Sequence, residues 1–135
     1  MEKVLKSILL IDDDEATNFF HKLIIREAKC TERLDIATDG KKALDYLTAA
    51  AKGLNPVPDL IFLDINMPIM DGWEFLEHYH RLELDNKKQI ALVILSASLN
   101  PDDKKKAISY SEVFGFRNKP MSVEMVHEVI NEFVR

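Results

Sequence analysis

Three short runs in this chain are apolar almost from end to end: Ser7 to Ile11 (SILLI), Asp59 to Leu63 (DLIFL) and Ile90 to Leu95 (IALVIL). A strand that does not alternate polar and apolar residues needs cover on both faces, which places it inside a parallel sheet flanked by helices. Leu34 to Thr38 is shorter and more polar, as an edge strand is, and Val113 to Arg117 (VFGFR) reads as a fifth, peripheral strand. Stretches of helical periodicity separate the five. Strict alternation of this kind predicts an α/β domain, with right-handed crossovers setting helices on both faces of the sheet.

The helical stretches carry their own boundaries. Ala16, Phe19, Phe20, Leu23 and Ile24 recur at helical spacing and predict one buried stripe on the first helix. Asp39-Gly40 is a turn signal before a helix over Lys41 to about Ala51, with Leu44, Leu47 and Ala51 on its inner side. Asp71 and Glu74 have capping-box spacing and introduce a third helix with Phe75, Leu76 and Tyr79 inward. Asn100-Pro101-Asp102-Asp103 supplies an N-cap, a first-turn proline and two carboxylates at the positive helix end. That fourth helix is short and lysine-rich, so it should be the least firmly packed. The last helix runs from about Ser122 and buries Val126, Val129, Ile130 and Phe133.

Length and composition bound what such a domain can be. With 135 residues the chain is expected to form one domain, residues 1–135, with no output domain attached. A formal charge of −5 gives no support for wide binding to a nucleic-acid backbone. Lys104, Lys105 and Lys106 read as a solvated helix face. Cys30 is the only cysteine, which excludes an intrachain disulfide and fits a reducing compartment. The opening Met1-Glu2-Lys3-Val4 lacks a signal-peptide layout, and no apolar stretch is long enough to cross a bilayer. A cytoplasmic protein is expected, with no membrane partner and no direct nucleic-acid partner.

Chemistry concentrates at one edge. In an open α/β sheet the ligand site lies beyond the carboxyl ends of the central strands. The first strand leads into Asp12-Asp13-Asp14-Glu15, the third into Asp64, the fourth into Ser96, and the fifth into Asn118-Lys119-Pro120. Clustered carboxylates raise one another's pKa unless a cation sits among them. Mg²⁺ suits such a set of hard oxygen ligands and serves phosphoryl transfer to a carboxylate nucleophile. Asp14 reads as a helix cap. Helix capping can explain one member of an adjacent acidic pair, but not carboxylates delivered to the same edge by two separate strands.

Four stretches resemble the receiver domains of two-component response regulators: ILLIDDDE at Ile8 to Glu15, FLDINMPIMDGWEFL at Phe62 to Leu76, LSAS at Leu95 to Ser98, and FRNKP at Phe116 to Pro120. The resemblance covers the whole chain. It implies a doubly wound five-stranded parallel sheet of flavodoxin-like order 2-1-3-4-5. It makes Asp64 the phosphoacceptor, with Asp13, Asp64 and the Asn66 backbone carbonyl as Mg²⁺ ligands and Asp12 acting largely through metal-bound water. Ser96 and Lys119 would hold phosphoryl oxygens, and Phe116 would turn inward when Ser96 moves. The implied donor is a histidine kinase or histidine phosphotransfer protein, and the output an unidentified protein effector. Such a chain catalyses its own phosphotransfer and slow autodephosphorylation but is primarily a switch, as a monomer or weak dimer.

Other residues take plainer readings. Met67, Ile69 and Met70 are expected to pack the loop after Asp64, and Trp73 to be a partly buried packing residue. His21, His78, His80 and His127 lie in helical patterns away from the strand ends and read as surface or helix-face residues. Asn66 and Ser98 should leave room for an attacking water, which predicts no exceptionally long-lived phosphoaspartate. Rival readings fit less well. Asp64-Ile65-Asn66 lacks the second carboxylate of an Asp-x-Asp phosphatase, and DDDE stands where a dinucleotide fold needs a glycine-rich turn. A phosphorylation-independent docking module of the same fold is the remaining alternative.

Overall fold

The computed structural model describes residues 4–85 and 87–133. Five strands, β1 (Leu5–Ile11), β2 (Thr31–Ala37), β3 (Leu60–Leu63), β4 (Ala91–Ser96) and β5 (Val113–Asn118), form one sheet among the described residues. All neighbouring strands pair in parallel, in the order β2-β1-β3-β4-β5. This is the expected flavodoxin-like order. The three continuous apolar runs are its three central strands.

Among the described residues four α-helices connect them, α1 (Glu15–Ala28), α2 (Gly40–Ala51), α3 (Gly72–Arg81) and α4 (Pro101–Ile108), and α5 (Val123–Phe133) follows β5. Strand pleating sorts the core into two halves. Leu9, Ile11, Ile61, Leu63, Leu92 and Ile94 face α2, α3 and α4, whereas Ile8, Leu10, Leu60, Phe62, Val93 and Leu95 face α1 and α5. No described helix is long and apolar enough to cross a membrane.

The predicted caps are in place. Asp14 accepts from the Thr17 N–H, Asp71 and Glu74 complete a capping box, and Asn100 accepts from the Asp102 N–H. Asp39 also caps, accepting from the Lys42 N–H at the head of α2. Phe75, Leu76 and Tyr79 of α3 are buried, as are Val126, Val129 and Ile130 of α5. In α4 only Ala107 is buried, in keeping with its weak apolar pattern.

Two predicted faces need correction. On α1 most of the expected stripe points outward: Phe19 is 65% exposed, Ala16, Phe20 and Leu23 are exposed beside it, and Ile24 alone of the five packs against the core. The buried face is Asn18, His21, Ile25 and Ala28. The helix is rotated because Asn18 is drawn inward to hold the end of β1, donating from Nδ2 to the Asp12 carbonyl at 2.8 Å. On α2 the inner face is Ala43, Leu47 and Ala50, leaving Ala51 exposed. At the head of the helix Gly40 closes tightly on the loop after β3, donating its N–H to the Met70 carbonyl at 3.2 Å.

Candidate functional site

The carboxyl ends of β1, β3, β4 and β5 meet at one edge, and the side chains expected there converge. Ligand oxygens of Asp12, Asp13 and Asp64 lie within 4.8 Å of one another. Asp12 and Asp64 are buried, while Asp13 is exposed at the rim. Lys119 reaches across from the end of β5, its Nζ 2.7 Å from Asp12 Oδ2 and 3.4 Å from Asp64 Oδ1. The Asp14 N–H donates to Asp12 Oδ1 at 3.0 Å, fixing the Asp12 carboxylate from the other side. One ammonium therefore faces three carboxylates.

The electrostatics follow from that imbalance. Burial, reinforced by the charge of Asp12, pushes the Asp64 carboxyl up to about 6 despite the opposing pull of Lys119. For Lys119, burial acts downward, but the hydrogen bond to Asp12 and the charge of Asp64 outweigh it and raise its pKa. Hard oxygen ligands with excess negative charge form a donor set that fits a small divalent cation. A small, partly open void of about 10 Å³ is lined in part by Asp12, His21 and Asp64.

The loop after Asp64 is shaped by close approach. A Cβ at Gly72 would stand 2.7 Å from the Asp64 carbonyl oxygen and 2.7 Å from Ile65 Cα, so glycine lets α3 start directly against the acidic residue. The Gly72 N–H donates to the Ile65 carbonyl at 2.7 Å. Met67 is buried and Met70 half-buried, as expected, but Ile69 stands out in solvent, 77% exposed. It also adopts φ 67°, with the Met70 N–H on the Pro68 carbonyl at 2.7 Å. A β-branched residue in the left-handed region is strained. The loop packs through its methionines, and the tight turn turns the isoleucine outward. Asn66 is exposed at the rim.

Ser96 is buried at the end of β4, where its Oγ accepts from the Ser98 N–H at 2.9 Å. Phe116, paired in register with Ile94, is half-buried against the α3–α4 side of the core. Trp73 is half-buried, stacked on Tyr110 at 6.2 Å with Lys106 Nζ 4.5 Å from its ring. Among the histidines, His78 and His80 are exposed, as expected. His21 is not a surface residue: it is 3% exposed and lines the void beside Asp12. His127 is half-buried, with Nε2 2.9 Å from the Ala28 carbonyl. Sequence reasoning missed Asn18 and His21 as supports of the site. Their signal was an alternative helical stripe, Asn18, His21, Ile25 and Ala28, running beside the more apolar one.

A doubly wound sheet with an acidic pocket and a lysine at its carboxyl edge defines a phosphoacceptor type of signalling domain. The chain belongs to the response regulator receiver domain family, whose profile matches residues 8–131. It is 33% identical over 129 residues to the probable methanogenesis regulatory protein FilR2 of Methanothrix harundinacea, covering 93% of this chain and 79% of that one. It is 33% identical over 99 residues to the response regulator Rcp1 of Synechocystis, covering 73% of this chain and 66% of the relative. A two-component response regulator from Cytophaga hutchinsonii superposes with a TM-score of 0.88 at 30% identity, over 98% of both chains.

Proposed function

We propose that this receiver accepts a phosphoryl group on Asp64 from a phosphohistidine and uses it to switch its binding to a protein effector. The observation that carries this reading is the Asp12–Asp13–Asp64 cluster faced by Lys119. Asp13, Asp64 and the Asn66 backbone carbonyl would hold Mg²⁺, with Asp12 acting through water. The bound ion would supply neutralisation of charge on the transferring group. An Asp64 carboxylate oxygen attacks phosphorus, the P–O bond forms as the P–N bond breaks, and the electron pair returns to the donor imidazole. Lys119 and Ser96 then bind phosphoryl oxygens, and Phe116 follows Ser96 inward. Water later attacks the acyl phosphate, releasing phosphate and regenerating Asp64.

The outward face of α1 supports a protein donor: Phe19, Phe20 and Leu23 lie exposed beside the acidic edge, an apolar surface a phosphohistidine-bearing helix bundle can cover. Exposed Asn66 and half-buried Ser98 leave the acyl phosphate open to water, which favours an ordinary rather than a very long lifetime. The protein would act in the cytoplasm as one receiver domain over residues 1–135, a monomer or weak dimer. Incubation with Mg²⁺ and phosphoramidate, followed by intact mass, tests the chemistry. Wild type should gain one phosphoryl mass and Asp64→Asn none; gain by both variants alike would rule out Asp64 as the acceptor.

A further inference from the structure

The loop between β4 and α4 is tied down by Asn118, a residue given no role in the phosphoryl chemistry. Asn118 ends β5, pairs in register with Ser96 and precedes Lys119. Its Nδ2 donates to the Ser98 carbonyl at 2.9 Å and, more weakly, to the Ser96 carbonyl at 3.4 Å. The Ser98 N–H in turn donates to Ser96 Oγ at 2.9 Å, and the Lys119 N–H to the Ser96 carbonyl at 2.8 Å. Ser98 is thus held at both of its peptide groups, by the Ser96 hydroxyl on one side and the Asn118 amide on the other.

That arrangement opposes the motion the site requires. Turning Ser96 Oγ toward a phosphoryl group on Asp64 carries it away from the Ser98 N–H. Either the loop follows, stretching the Asn118–Ser98 bond, or the loop stays and the Ser98 N–H loses its partner. We propose that Asn118 is a positioning residue that ties the β4–α4 loop to the resting arrangement and so restrains the response of Ser96. The inference rests on the reading of Asp64 as phosphoacceptor. Once the loop has moved the tie is gone, so Asn118 governs the uptake of the phosphoryl group and not its loss.

The asymmetry between uptake and loss is what a merely structural residue would not produce. Uptake from phosphoramidate with Mg²⁺, and loss after donor removal, are followed by intact mass in wild type and Asn118→Ala. Uptake should rise roughly threefold to tenfold, the worth of one released hydrogen bond, with the rate of loss unchanged. Asn118→Asp, which has no amide to donate, should shift uptake in the same direction. In a Ser96→Ala background the Asn118→Ala change should have no effect, because there is no hydroxyl to release. Asn118 is exposed, so these variants keep the packed core. Unchanged or slower uptake in Asn118→Ala, or an undiminished gain in the Ser96→Ala background, overturns the inference alone. A wild type that gains no mass overturns the phosphoacceptor reading and this inference with it.

Discussion

Helices α1 and α5 lie on the same face of the sheet and pack against each other, yet they dispose of their apolar residues in opposite ways. Helix α5 turns Val126, Val129 and Ile130 into the core. Helix α1 turns Phe19, Phe20 and Leu23 to solvent and buries Asn18 and His21 instead. The difference follows from what each helix leads out of. Helix α1 begins two residues after Asp13, and its buried polar side chains support the end of β1: Asn18 holds the Asp12 carbonyl and His21 flanks the void beside Asp12 and Asp64. Helix α5 meets the core with side chains free of any such task. Packing rules describe α5; around the acidic edge, the site decides.

The largest effect expected from this contrast is on stability. Ile130→Ala removes a fully packed side chain and should cost about 3 kcal/mol, whereas Phe19→Ala should change stability by less than about 0.5 kcal/mol. Urea unfolding of the two variants measures the difference directly. A similar loss for Phe19→Ala would mean that the α1 stripe is buried in solution. Next comes the site itself. The Asp64 carboxyl stands at about 6 against an ordinary 3.8, so above pH 6 the folded state carries a charge it disfavours. At pH 7.5 in metal-free buffer, Asp64→Asn should therefore stabilise the fold by about 2 kcal/mol, and the gain should vanish below pH 4. Equal urea midpoints for wild type and variant at pH 7.5 would refute it. A smaller gain is expected at Ile69. Replacing it by Asn, which tolerates positive φ, should add about 1 kcal/mol and raise the midpoint of thermal unfolding.

These same residues mark the limits of what could be read before the structure. The central strands were legible because a strand covered on both faces has no polar alternation to hide it, and the helix caps because Asp14, Asp71 and Asn100 act on N–H groups only two or three residues away. Asp12, Asp13, Asp64, Ser96 and Lys119 were legible as a group because strand ends converge by topology alone. The rotation of α1 was not. Periodicity identifies a helix and ranks its faces by apolarity, but Asn18 is drawn inward by a single hydrogen bond to the Asp12 carbonyl, six residues back around a turn. Ile69 was expected inside because it is apolar; the turn at Pro68–Met70 and its positive φ put it outside. Asn118 was hidden for a similar reason, since its partners Ser96 and Ser98 are near only across the sheet edge.

The buried histidine of α1 offers the finest test of the comparison, because its titration opposes that of its neighbour. Burial, helped by the nearby Lys119 charge and opposed by Asp12, holds the His21 pKa below the ordinary 6.5. The unfolded chain takes up that proton first, so the stability His21 contributes is complete above pH 6.5 and is lost as pH falls through its folded value. Asp64 runs the other way: between pH 6 and 4 the folded state binds its proton first, and stability is gained as pH falls. In wild type the two trends offset one another. Removing Asp64 with Asp64→Asn should expose a net fall in stability between pH 7.5 and 5.5, and adding His21→Gln should flatten it. His78, His80 and His127 are common to both proteins and drop out of the difference. Unfolding midpoints at the two pH values for Asp64→Asn and for the double variant measure it. An identical fall in both would show that His21 takes up its proton alike in the folded and unfolded chain, and burial in α1 would then not hold its pKa down.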